Sequence, residues 1–243
     1  DHAESQHHCH SIQPFLRPAD RIEGSLATFR VVCKVPAMPR VRDPKRTRRK
    51  VLEASYREFY RHGFQGGSIN RIVTAAGITK GALFHHFAGK NELGYAVLDE
   101  FLTPAVNNWW VEPLHDAGDP VQALRNIHKR FLKRIEEEDP EAGFLFNGCP
   151  ICNFTVEMSP LDEGFRERLG TIYDTWHCAI SEALERGQAT AVVRSDINPT
   201  AEASFLVSIM AGSASVGKVT QQMAFFRNCI KVAQIHVESL VPS

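Results

Sequence analysis

Several absences narrow what this chain can be. No apolar run in its 243 residues comes near the length expected of a bilayer-crossing helix, so no membrane span is expected. Glycine-rich phosphate loops, nucleophile motifs, paired carboxylates and clusters with metal-ligand spacing are all missing. An enzyme is therefore the least favoured class, and neither a cofactor nor a metal is expected. The six cysteines, Cys9, Cys33, Cys149, Cys152, Cys178 and Cys229, do not fall at disulfide-framework spacings. No secretory pattern precedes them, and a reduced, cytoplasmic chain is the expectation. Net charge is absent too, with 28 Lys and Arg against 28 Asp and Glu.

That neutrality hides a division. From Arg40 to Tyr95 twelve Lys and Arg face four Asp and Glu, a net +8, which leaves about −8 from Ala96 onward because the first 39 residues balance. A cationic module joined to an acidic body suits a nucleic-acid partner. The composition is 43% hydrophobic, enough for one large or two small cores.

The most informative stretch runs from Ser68 to Phe87, SINRIVTAAGITKGALFHHF. Ile69, Ile72, Val73 and Ala76 share one helical face, and Ile78, Leu83 and Phe87 continue the seam beyond a turn at Gly77. Glycine supplies the positive φ that two tightly angled helices need at their junction. Ser68 and Thr79 each precede a helical pattern and are the expected caps. The polar face of the second helix, Thr79, Lys80, Gly81, Ala82, His85 and His86, is the candidate DNA reader of a helix-turn-helix.

Around that centre the periodicity is helical throughout. Residues 1–39 show none and are expected to be a disordered or non-native extension, with Met38 a plausible natural start. A basic arm, Arg40 to Lys50, runs into a helix from about Lys45 to His62 whose inward face is Val51, Leu52, Ser55, Tyr56 and Phe59. Arg46 and Arg48 on this arm, together with Arg71, are candidates for phosphate contact. Lys90 opens a longer helix carrying Leu93, Ala96, Val97 and Leu98. A further helix follows Asp119 and Pro120, and the stretch from Gly143 to Ser159 reads as irregular. The strongest period lies between Asp162 and about Gln188. Two final helices after Asn198 and Pro199 carry more apolar surface than one partner can cover, which predicts a homodimer through them.

The segment from Lys45 to about Phe101, above all GFQGGSINRIVTAAGITKGALFHHFAGKNEL from Gly63 to Leu93, resembles the DNA-binding domain of the tetracycline-repressor (TetR) family. The resemblance implies an all-α fold. Three N-terminal helices, within residues 40–93, would bind DNA, and a helical effector-binding and dimerisation domain would fill 94–243. It places Thr79, Lys80 and Gly81 at the start of the recognition helix, His85 and His86 near its end, and Lys90 at the next helix start; Ser68 falls within the same motif. Ala82 stands where a serine or threonine is common and Phe84 where tyrosine is usual, which removes two hydroxyls from the backbone grip. The expected partners are a double-stranded, pseudo-palindromic operator, a second copy of the chain and a small-molecule effector. The two readers would lie about 34–36 Å apart to meet successive major grooves.

The stretch NGCPICNFTVEMSPLDEGFRERL, from Asn147 to Leu169, resembles one branch of the same family, some members of which sense electrophiles or oxidants through cysteine. If Pro150 takes the first helical position, Cys149 becomes the N-cap, where the helix dipole and free amides favour a thiolate. Cys149 is then the candidate reactive thiol and Cys152 its resolving partner. The effector pocket is expected to be lined by Tyr173 and Trp176, with Phe144, Phe146, Phe154, Trp109 and Trp110 around them. His128 and His177 read as satisfied histidines. The expected function is a dimeric transcriptional repressor released by a small molecule, electrophile or oxidant. The alternative is a DNA-binding protein without an effector.

Overall fold

A computed structural model describes residues 43–137 and 143–242, and the expectations for residues 1–39, including Cys9, Cys33 and Met38, lie outside them. Among the described residues every regular element is helical. The first helix, α1 (Pro44–His62), begins where the Asp43 carboxylate accepts from the Arg46 amide at 3.1 Å, with Pro44 in the first turn. It buries Val51, Leu52, Ser55 and Phe59 and stops at Gly63, φ 73°. Helix α2 (Ile69–Ala76) ends at left-handed Gly77, φ 66°, and α3 (Lys80–Phe84) begins under the Thr79 hydroxyl, which accepts from Ala82 N at 3.2 Å. Ser68 departs from expectation. Its hydroxyl makes no cap bond, and its amide instead donates to Glu58 Oε1 at 2.8 Å.

The next helix, α4 (residues 90–115), is continuous but contains two π turns, Leu98–Leu102 and Asn107–Val111. Each turn is closed by a wide bond, Thr103 N to Leu98 O and Glu112 N to Asn107 O. The cause lies just downstream. Pro104 and Pro113 lack an amide hydrogen, and their rings crowd the carbonyl four residues back. Those carbonyls belong to Glu100 and Trp109, inside the widened turns. The π turns also set the packing. Leu98, Leu102, Val106, Trp110 and Leu114 are all buried at a strict spacing of four. A regular α-helix would rotate such a stripe by about 40° per step, and the wider turns counter that drift.

Then follow α5 (Pro120–Glu137), a short α6 (Phe144–Asn147), α7 (Pro150–Met158), α8 (Glu163–Ala189), α9 (Pro199–Thr220) and α10 (Met223–Glu238). The stretch read as irregular, Gly143 to Ser159, is thus two helices broken at Gly148, φ 76°. Its apolar period, Ile151, Phe154 and Met158, was masked by the intervening cysteines and Asn153. Helix α8 is the axis of the body and buries Phe165, Leu169, Ile172, Trp176, Ile180 and Leu184. Phe59, Phe64, Phe154 and Phe165 join α1, α7 and α8 with ring centroids 4.7–6.2 Å apart. Gly94 permits this closeness, since a Cβ there would lie 2.5 Å from Phe165 Cζ.

Contrary to the sequence reading, one helix, α9, is long and apolar enough by composition to cross a bilayer. Here it packs between α8 and α10 and buries Ala203, Leu206, Met210 and Ala214.

His177 is satisfied as expected, with Nε2 3.1 Å from Thr200 O and from Ser204 Oγ. His128 is not. It is fully buried, and neither ring nitrogen has a partner among the described residues. Burial depresses its pKa to about 4. The unfolded chain, with an ordinary histidine near 6.5, therefore binds this proton first as pH falls, and stability drops between those two values. The expected loss is about 2 kcal/mol between pH 7 and pH 5. Urea unfolding at both pH values checks this: His128→Phe should remove most of that pH dependence, and an unchanged dependence would refute the assignment.

Candidate functional site

The reading surface is built on the buried pair Leu83 and Phe87, which anchor α3 in the core while its other side faces out. Thr79, Lys80, Gly81 and His85 are exposed, Ala82 and His86 are half-buried, and the two histidine rings meet edge to face at 5.3 Å. Arg46 is exposed on the first turn of α1. Phe84 is 50% exposed, an apolar ring on an otherwise polar reader.

Three of the expected DNA contacts are engaged inside the protein. Arg48 pairs with Glu100 through both terminal nitrogens at 2.5 Å and lies 5.0 Å from the Phe87 ring centroid. Arg71 bonds Glu58 at 2.6–2.7 Å and the Gly66 carbonyl at 2.8 Å. Burial would raise the Glu58 pKa, but the bonds from Arg71 and the Ser68 amide outweigh it and hold the group below the usual carboxylate range. Lys90 donates to Gln65 O at 2.9 Å and sits 5.0 Å from the Phe64 ring centroid, and desolvation lowers its pKa. Spacing alone does not reveal this, because the acidic partners lie up to 52 positions away.

The reader is tied to the body by a contact with no local signal in the chain. Glu157, near the end of α7, accepts from the backbone amides of Phe64 and Gln65 at 2.7 and 2.6 Å, in the loop between α1 and α2. Two carboxylate oxygens thus hold two successive amides. Asp162, the cap of α8, adds a second tie through Tyr95 Oη at 2.6 Å and Asn91 Nδ2 at 3.0 Å.

The other end of α7 carries the cysteines. Cys149 is the N-cap and Pro150 the first helical residue, as expected, but Cys149 Sγ lies near the amides of Ile151 and Cys152 without reaching capping geometry. The two thiols interact with each other, and that interaction together with burial pushes the Cys149 pKa up. The same interaction lowers the Cys152 pKa to about 7, helped by Tyr173 Oη, 3.6 Å from its sulfur. The conditions favouring a thiolate, expected at Cys149, thus fall on Cys152.

A cavity of about 660 Å³ opens beside them. Trp176, Phe144, Trp109 and Trp110 line it, and so does Cys149. Tyr173 and Cys152 do not; they bond to each other behind the wall. Phe154 is 4% exposed within the phenylalanine cluster, and Phe146 points outward at 45% exposure. Residues not foreseen are Tyr56, Arg57, Tyr60 and Arg61 from α1, and Arg130 and Arg134 from α5. Their signal was the pairing of arginines four apart on both helices. Among the described residues no group of His, Cys, Asp and Glu could hold a metal ion.

Two family models match this chain: bacterial regulatory proteins of the tetR family over residues 51–97, and a tetracyclin repressor-like C-terminal domain over residues 120–232. The chain belongs to the TetR family. It is a DNA-binding transcriptional regulator, in a family whose members typically dimerise and bind small-molecule ligands, and repressors stand among its relatives. The HTH-type transcriptional repressor DhaR of Mycobacterium sp. strain GP1 is 29% identical over 196 residues, covering 81% of this chain and 93% of the relative. Among solved structures, a TetR-family regulator from Cytophaga hutchinsonii superposes with a TM-score of 0.71 at 18% identity, covering 84% of this chain and all of that one. The reduced form of E. coli NemR gives 0.67 at 21% identity, covering 81% and 98%. These two likenesses establish the fold.

The engaged and free cations should behave differently. Lys80→Ala is expected to reduce the slope of log affinity against log salt by about one. Arg71→Ala should instead lower the unfolding temperature, because buried Glu58 loses its guanidinium partner and keeps only the Ser68 amide as a hydrogen-bond donor. Anisotropy of labelled operator across a salt series, paired with thermal unfolding, separates the two. A full loss of salt slope in Arg71→Ala with unchanged stability would refute the assignment.

Proposed function

We propose that this TetR-family regulator is a cytoplasmic repressor that binds a pseudo-palindromic operator as a homodimer. A small molecule entering the cavity releases it. The observation that carries this reading is the position of α1, which belongs to the reader's domain and also walls the cavity through Tyr56, Arg57, Tyr60 and Arg61. A ligand there touches the reading domain directly. It acts through its different affinity for the arrangements of α1 that fit DNA and those that do not. The exposed reader, Arg46, Thr79, Lys80, Gly81, Ala82, His85 and His86, carries the DNA contact, with Ser68, Arg48, Arg71 and Lys90 holding its shape.

The dimer face is the outer side of α9 and α10, where Phe205, Val216, Val219, Val232 and Ile235 are 42–83% exposed. Ile235→Glu is expected to give monomers in sedimentation equilibrium. Operator affinity should fall about a hundredfold, because two half-sites are then no longer engaged together. A dimeric variant with native affinity would overturn this face.

The thiol pair favours an oxidant as a second kind of effector. Cys152 thiolate attacks a peroxide to give a sulfenate, and Cys149 displaces water or hydroxide from it to close a disulfide. Since Cys149 caps α7 and Cys152 lies in its first turn, the new bond strains the helix whose far end holds the reader's loop. Hydrogen peroxide should release operator from the native protein but not from Cys152→Ser. Release of that variant at the same peroxide concentration would place the sensor elsewhere.

A further inference from the structure

We infer that the cavity selects an anion with an aromatic or broadly apolar body, a carboxylate above all. This inference rests on the cavity being the effector site and assigns that effector a chemical class. Four guanidinium groups, of Arg57, Arg61, Arg130 and Arg134, line the cavity, and no carboxylate does so among the described residues. Like charges gathered around one space repel, and an anion between them removes that cost. The charge is not simply cancelled from behind. Arg61 makes no hydrogen bond or ion pair among the described residues, and Arg57 has only Glu53 at 4.0 Å, one turn back on its own helix.

Arg130 is already set in place. Its terminal nitrogens donate to Asn108 Oδ1 at 2.8 Å and Asn108 O at 3.3 Å, and its guanidinium lies 3.9 Å from the Trp109 ring centroid. A planar cation fixed in that way presents its remaining N–H groups in the fork that matches a carboxylate. Asn108 and Trp109 lie within the second π turn, so the widened backbone of α4 helps position this arginine.

The rest of the wall calls for an apolar body. Trp110 and Trp176 are tilted against each other at 4.8 Å, and Trp109 meets Phe131 edge on at 5.7 Å. Trp176 adds an indole N–H that is buried without a partner among the described residues. The volume, about 660 Å³, is ample for a two-ring ligand. A free inorganic anion would leave these rings uncovered, and a neutral arene would leave Arg57 and Arg61 uncompensated.

The test uses the full chain and three matched probes: 2-naphthoate, 2-naphthamide and 2-naphthylmethylammonium, each titrated against tryptophan fluorescence. Naphthoate should bind at least about tenfold more tightly than the amide, and the ammonium probe more weakly still. In Arg61→Gln, which has no internal bond to lose, naphthoate affinity should fall about tenfold and amide affinity less than about twofold. Equal or tighter binding of the amide, no binding of naphthoate, or indifference of naphthoate to Arg61→Gln would overturn the inference. Operator anisotropy in the same titrations separates it from the effector reading. Naphthoate that binds as expected but leaves the operator bound overturns the effector role and upholds the ligand class. Release by the amide and not by naphthoate overturns the ligand class and upholds the effector role.

Discussion

Two hydrogen bonds that the Glu157 carboxylate accepts from the amides of Phe64 and Gln65 set the relation between the reading head and the body. Loop amides with no carbonyl partner need an acceptor, and here it comes from an element 92 residues further along the chain. Around this clamp the phenylalanine cluster fills the junction. Lys90 then closes the same loop from the other side through the Gln65 carbonyl. The helix that carries Glu157 begins at the thiol pair and runs beside the cavity. Its two ends therefore meet the reader's loop and the cavity-side thiols.

Function in this fold follows from sharing elements between sites. Helix α1 is half of the reader's core and one wall of the cavity. Helix α4 starts at Lys90 under the reader, and its π turns bring Trp109 and Trp110 to the opposite wall. An occupant of the cavity thus lies between two helices that both terminate in the DNA-binding head. Coupling then needs no long chain of side-chain contacts, because the helices themselves span the distance.

Much of this was legible in the sequence. Gly77, Thr79, Leu83 and Phe87 announced the helix-turn-helix because its turn and caps depend on local chemistry. The apolar period between Asp162 and Gln188 announced α8 for the same reason. What escaped depends on contacts distant in sequence. Arg48, Arg71 and Lys90 have the residue types and positions of phosphate contacts, and only the fold shows them held by Glu100, Glu58 and Gln65. Glu157 carries no local signal, since the amides it holds lie 92 and 93 residues away. Cys149 stands at the cap position as read, but the lowering of the Cys152 pKa arises first from the neighbouring Cys149 and then from Tyr173, 21 residues away. The irregular reading of 143–159 failed because a broken helix dilutes its own period.

The π turns of α4 make length itself part of what this sequence encodes. Each wide turn accommodates about one residue more than a regular turn requires. Removing a residue between Leu98 and Leu102 would let that turn close to ordinary geometry with the flanking segments still near their present orientation, whereas removing one from the regular turn Thr103–Val106 would swing everything on one side of it by about 100° relative to the other. The buried stripe ending at Leu114 would then leave its partner face on α8, although no side chain had changed in character. Substitution at these positions tests packing, whereas deletion from a regular turn rewrites the register that joins the reader to the cavity.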